Sequence, residues 1–186
     1  MPPLELSGLF FHGSNMSVAR IDLSAGISKK DFGKGFYTTN SKIQAEKFAK
    51  LKAKRFNAKN GFVSVFEFTH NALTAAEPSL KILRFENTDL DWLNFILFNR
   101  GFVKSIHENF SSSNYDIIIG AVADDVVGLV LNQLVIGTYG NPSSLQAKET
   151  AVKLLETENL YNQILFRTEK AVKHLAFKES YKVAIN

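Results

Sequence analysis

Three short, widely separated stretches of this chain carry side chains that could do chemistry together. The first is Phe11-His12-Gly13-Ser14. A histidine at a strand end can donate or accept a hydrogen bond from a fixed position, and the glycine after it lets a ligand approach the backbone closely. The second is Phe32-Gly33-Lys34-Gly35-Phe36-Tyr37-Thr38-Thr39, where two glycines around a lysine make a tight, basic turn. Tyr37 and Phe48 lie eleven residues apart across a strand–helix junction. Folded toward one another, they would form a slot for a flat heterocycle. The third is Asn162-Gln163-Ile164-Leu165-Phe166, a polar amide at the mouth of an apolar strand. Period-two alternation sets Tyr161, Gln163 and Leu165 on one face, and a buried glutamine must find partners in protein, water or ligand hydroxyls.

Other candidates have plainer readings beside the functional one. Asp124 and Asp125 precede a helical stretch; they could orient an acceptor or simply cap that helix against its dipole. Glu158 and Glu169 flank the Gln163 strand and could lend it negative charge. His70, His107 and His174 lack an H-x-x-x-H spacing, so no metal site is expected. Gly33-Lys34-Gly35 is too short for a Walker loop, and no G-x-S-x-G elbow occurs.

The elements that must hold these residues follow from pattern. Leu9–His12 reads as a short buried strand ending in the turn Gly13-Ser14-Asn15. Residues 24–35, rich in Gly, Ser and Lys, read as a loop, and Phe36–Thr39 as a strand. Ser41 and Gln44 form a capping box, opening a helix whose expected core face is Ile43, Ala45, Phe48, Ala49, Ala53 and Phe56. Strands are expected at 62–69, 81–85, 115–119, 161–167 and 177–183, and helices at 88–100, 125–136, 142–156 and 168–175. Strands outnumber helices without alternating regularly, which favours α+β over a doubly wound sheet.

The chain has 186 residues, 45% hydrophobic and 22% charged, which suits one domain over residues 1–186 and excludes a disordered or collagen-like chain. It holds 16 phenylalanines, so aromatic packing should dominate the core. With no cysteine, disulfides, thiolate catalysis and cysteine-bound metals are excluded. No membrane span or secretory signal is apparent, so a cytoplasmic location, or export as an effector by another route, is expected. The net charge is +4, and Lys42, Lys47, Lys50, Lys52, Lys54, Arg55 and Lys59 face only Glu46 between residues 41 and 60. That run is either a solvated helix face or a positive field for phosphates.

The segment "FGKGFYTTNSKIQAEKF" resembles the signature of the poly-ADP-ribose polymerase branch of the ADP-ribosyltransferase superfamily. The whole chain looks still more like a bacterial family of uncharacterised domains assigned to that superfamily, through "FFHGS", "DFGKGFYTT", "NYDIIIGAVADD" and "NQILF" in order from residue 10 to 166. The resemblance implies an α+β fold of split antiparallel sheets with flanking helices, and NAD as substrate. It implies that His12 bonds the NAD ribose, that the Gly13 backbone holds the nicotinamide carboxamide beside Ser14, and that Tyr37 and Phe48 sandwich the nicotinamide ring. Gln163 takes the place of the catalytic glutamate, and Ala45 that of a serine which also grips the carboxamide.

Such an enzyme breaks the nicotinamide–ribose bond through a transition state with positive charge on the ribose, where a carboxylate on the 2′-hydroxyl stabilises it. An amide holds the same hydroxyl more weakly, at a cost of about 2–4 kcal/mol or 10²–10³ in rate. The expectation is therefore single transfer of ADP-ribose to an unknown acceptor, with catalysis resting on His12, Tyr37 and Gln163. The resemblance also brings in a toxin or effector role and a cognate antitoxin as partner. Two rivals remain: an NAD- or nucleotide-binding module that is weak or inactive, and a nucleic-acid-binding protein using the basic 42–59 stretch, whose affinity would fall steeply with salt.

Overall fold

The computed structural model describes residues 6–69, 80–103, 111–122, 125–155 and 161–185. Seven strands and five helices follow in the order β1 (Gly8–Ser14), β2 (Phe36–Thr38), α1 (Lys42–Arg55), β3 (Asn60–Phe68), β4 (Ile82–Arg84), α2 (Leu90–Asn99), β5 (Ile117–Ala121), α3 (Asp125–Val135), α4 (Leu145–Leu155), β6 (Asn162–Phe166), α5 (Glu169–Val172) and β7 (Leu175–Ala184). The fold is α+β. One sheet runs β1-β3-β7 and the other β2-β6-β5-β4, antiparallel throughout except for the parallel pair β4–β5.

Side-chain alternation distributes three cores. Phe10, Phe66 and Phe68 of the first sheet meet Phe36, Ile117, Ile119, Ile164 and Phe166 of the second, the interlayer that the phenylalanine count foreshadowed. The opposite face of the second sheet, through Ile118 and Leu165, packs on Phe32, Phe85 and residues of α2, α3 and α4 such as Trp92, Leu131 and Ala151. The outer face of the first sheet carries Val63, Val65 and Val183 against Ala45 and Ala49 of α1.

Helix α1 corrects the expected core face. Only Ala45, Ala49 and Ala53 are buried, whereas Ile43, Phe48 and Phe56 are exposed. The cause is backbone proximity. A Cβ on Gly13 would collide with the Ala45 carbonyl and lie 2.9 Å from the Ala49 nitrogen, and one on Gly61 would meet the Ala49 carbonyl at 2.7 Å. The helix sits on two glycines, and nothing larger than alanine fits between. Its N-cap is as expected, with Ser41 Oγ accepting from Gln44 N at 3.2 Å. The glutamine instead receives Thr39 Oγ1 at 2.5 Å, and Thr39 in turn accepts from Ser41 N at 3.0 Å.

Boundaries moved elsewhere by local capping. Helix α2 starts after Asp89, whose carboxylate accepts from Trp92 N at 3.0 Å, and not at Thr88. Helix α4 starts after Ser144, whose hydroxyl accepts from Ala147 N, and not at Pro142. Strand β1 runs on through Gly13 and Ser14 because β3 pairs with it to Phe62. Among the described residues no helix is long and apolar enough to cross a membrane.

Candidate active site

Among the described residues one backbone bridge joins the edges of the two sheets, which then split. Phe11 and Thr39 exchange both backbone hydrogen bonds, Phe11 N to Thr39 O at 2.8 Å and Thr39 N to Phe11 O at 3.0 Å. Antiparallel geometry makes Gly13 and Tyr37 the next such pair, and alternation aims the Gly13 N–H and C=O away from β3 toward β2. The ladder does not continue. The Tyr37 carbonyl instead accepts from His12 Nδ1 at 2.7 Å, so the imidazole occupies the split where a Gly13 amide would otherwise bond. The glycine's missing side chain serves α1 and not a ligand, as sequence reading had it; what faces the split is its backbone edge.

That hydrogen bond fixes the histidine's chemistry. A carbonyl only accepts, so Nδ1 carries the proton, and in the neutral ring Nε2 is a bare acceptor. The ring stacks on Phe36 with centroids 4.5 Å apart. Burial pushes the imidazole down to about 4, against the Tyr37 carbonyl bond that raises it, and Lys30 and Lys52 lower it further. His12 is therefore neutral at physiological pH, and among the described residues Nε2 meets no protein donor.

Tyr37 is anchored through its phenol. The hydroxyl donates to the Gly33 carbonyl at 2.6 Å and accepts from Phe32 N at 3.1 Å, closing the turn in which Gly33 takes a φ of 87°. Burial, and then the nearby Asp31 carboxylate, hold the phenol far above its ordinary range. The ring is what the residue offers, and Lys30 Nζ lies 4.9 Å from its centroid. Phe48 is 46% exposed on α1, with Lys52 Nζ 5.8 Å from its ring. The Tyr37 and Phe48 rings do not touch. Lys30 and Lys52 lie one beside each ring, half-buried, and neither forms an ion pair with a carboxylate among the described residues, although Asp31 is near enough to favour the charge of Lys30. Burial lowers both, Lys52 further lowers Lys30, and Arg55 further lowers Lys52.

Gln163 stands at the same end of β2. The register Thr38↔Ile164 sets it across from Thr39, the residue that bridges to Phe11, so about two strand spacings, roughly 10 Å, separate the His12 and Gln163 backbones. Their side chains take different faces: His12 stacks on Phe36 of the interlayer, while Gln163 shares the helical face with Leu165. The amide is 6% exposed, and Nε2 donates to Asp31 Oδ2 at 3.2 Å and to the Ala121 carbonyl at 3.3 Å. Asp31, itself 8% exposed, is gripped by Arg100 through Nε at 2.8 Å and Nη2 at 2.6 Å, both on Oδ1.

Asp31, Arg100, Lys30 and Thr39 were not singled out from sequence. One signal was there: Asp31 is the sole acidic residue between Asp22 and Glu46 and directly precedes the Gly-Lys-Gly turn. Of the other candidates, Ser14 Oγ donates to Asn15 at 3.4 Å, and Ala45 is buried under the first sheet. Glu169 is exposed on α5, beyond the far end of β6, too distant to lend Gln163 its charge. His174 edges onto Phe68 at 6.1 Å. His70, His107, Asp124, Glu158 and the Asp125 side chain lie outside the described residues. Among the described residues no acid and histidine cluster could hold a metal. A shallow depression of about 300 Å³, lined by Leu23, Ser24, Lys34, Gly35 and Arg167, borders the glycine turn but includes none of His12, Tyr37 and Gln163.

With this geometry in place, comparison with known proteins gives one assignment. The sequence model of a family described as a protein of unknown function, DUF3990, matches residues 9–177, and the chain belongs to that family. No curated protein matches it.

Proposed function

We propose that this protein is a mono-ADP-ribosyltransferase with an ADP-ribosyltransferase-like fold, taking NAD as substrate at the split between β1 and β2. The observation that carries the reading is the interrupted ladder there, with neutral His12 bonded to the Tyr37 carbonyl and the Gly13 amide edge turned into the gap. The Gly13 N–H and C=O match the carbonyl and amine of a carboxamide. His12 Nε2 accepts from a ribose hydroxyl, the Tyr37 face receives the nicotinamide ring once Lys30 swings aside, and Lys30 and Lys52 are free to meet the pyrophosphate.

In the reaction the C1′–N bond breaks and its electron pair leaves with nicotinamide, neutralising the pyridinium. A lone pair of the acceptor forms the new bond to C1′, and the acceptor's proton passes to solvent. Gln163 stabilises the cationic ribose by holding a hydroxyl, more weakly than a carboxylate would. The acceptor, a toxin or effector role with its antitoxin, and the cellular compartment rest on sequence resemblance alone.

The test is nicotinamide release and label transfer from adenine-labelled NAD into lysate. Support is release that falls about tenfold or more in His12→Ala, the loss of one hydrogen bond and its anchor. Absence of both NAD binding by calorimetry and nicotinamide release overturns the reading. Binding without release favours the second reading, a nucleotide-binding module, for which the neutral amide at residue 163 is the specific observation.

A further inference from the structure

We infer that Asp31 is a positioning residue that orients the Gln163 amide so that its oxygen, and not its nitrogen, is presented to a substrate hydroxyl. The inference rests on the proposed NAD reaction for its use but on hydrogen-bond chemistry for its geometry. Both neighbours of the amide nitrogen, the Asp31 carboxylate and the Ala121 carbonyl, can only accept. Turning the amide over would set oxygen against oxygen twice, so the orientation is chemically determined. Both protons of Nε2 are consumed. Among the described residues Oε1 meets no protein donor, and it is not sealed from solvent.

The glutamine thus offers what a glutamate would offer a ribose hydroxyl, an acceptor oxygen, with a carboxylate directly behind it. Arg100 holds that carboxylate through Oδ1, and Oδ2 receives the amide. The division of labour makes a specific exchange meaningful. Asp31→Asn, with its oxygen kept on Arg100, turns an NH2 toward the Gln163 amide: unflipped, two donors face each other, and flipped, the amide oxygen meets the Ala121 carbonyl, so neither orientation is held. Gln163→Glu alone sets a second carboxylate about 3 Å from Asp31, where one must take a proton or withdraw. The pair Asp31→Asn with Gln163→Glu restores a matched donor and acceptor between positions 31 and 163 and returns an outward acceptor oxygen, with the Ala121 carbonyl the one contact left unmatched.

The experiment uses the full chain and two readouts. By NMR, the Gln163 side-chain protons should exchange slowly with solvent in the wild type and lose that protection in Asp31→Ala. By nicotinamide release, Asp31→Asn and Gln163→Glu should each lower kcat about 10- to 100-fold with KM for NAD little changed, and the double variant should release nicotinamide faster than either single variant. A loop-anchoring role alone predicts additive losses. Additive kinetics, or Gln163 protons that exchange equally fast with and without Asp31, overturn the inference while leaving the NAD reading intact. Slow exchange that depends on Asp31 in a chain that neither binds nor cleaves NAD upholds the orientation and sinks only the reaction.

Discussion

His12 should make the stability of this fold fall with acid in a window set by its own environment. Its imidazole is neutral in the folded chain, with Nδ1 donating to Tyr37 and burial pushing it down from an ordinary 6.5 to about 4. An unfolded chain takes up the proton below about 6.5, whereas the folded one does not until about 4, so the contribution is fully present above 6.5 and is lost as pH falls between the two. Linkage gives about 1.4 kcal/mol lost at pH 5.5 and about 2.6 kcal/mol at pH 4.5. Urea denaturation of wild type and His12→Asn at pH 7.5, 5.5 and 4.5 isolates the effect, since His70, His107 and His174 are common to both. The wild-type unfolding free energy should decline more steeply than the variant's by about those amounts. Parallel declines, or His12 ring resonances that titrate near 6.5, would refute the assignment of a buried neutral imidazole.

Three further outcomes follow from the same contacts. Gly13→Ala should cost at least about 2 kcal/mol by chemical denaturation, because the new methyl meets the Ala45 carbonyl; Ala45→Gly should not rescue it, since the obstacle is backbone. Tyr37→Phe should cost about 1–3 kcal/mol, measured as a lowered Tm, by stranding Phe32 N–H and Gly33 O, yet leave NAD affinity within about threefold, whereas Tyr37→Leu should weaken it further. Lys30→Ala and Lys52→Ala should each weaken ADP-ribose binding by calorimetry about tenfold at low salt, and the deficit should narrow as salt is raised.

What the sequence made legible was local. The Ser41 cap, the strands at Phe36 and Ile117, and the placement of Gln163 and Leu165 on one face depend on nearest neighbours and on period, and all are present. What it hid was distance in the chain. Asp31 looks like one polar residue in a loop, yet its partners Arg100 and Gln163 lie 69 and 132 positions away. The helical period of α1 pointed to Phe48 and Phe56 as core, but the close seat on Gly13 and Gly61 admits only alanines and leaves the rings outside. The same packing keeps Phe48 off Tyr37, so a closed aromatic slot was an expectation that the free chain does not meet.

The polar groups at the split end of the second sheet, on its two faces, have complementary signs. His12 Nε2 and Gln163 Oε1 are acceptors because their donor atoms are already committed to Tyr37, Asp31 and Ala121. Lys30 and Lys52 form no ion pair with a carboxylate among the described residues, and Asp31 acts on Lys30 only from a distance. Acceptors suit hydroxyls and the lysines suit an anion, the pairing that the proposed NAD reading calls for. The one carboxylate that backs Gln163 is already compensated by Arg100, so little net negative charge is left to act on a cationic ribose. On the proposed reading, a site built this way holds the substrate's hydroxyls well and stabilises its developing charge weakly. Slow, single transfer is what that balance favours, because activating an acceptor hydroxyl for chain growth would need a carboxylate free to take its proton.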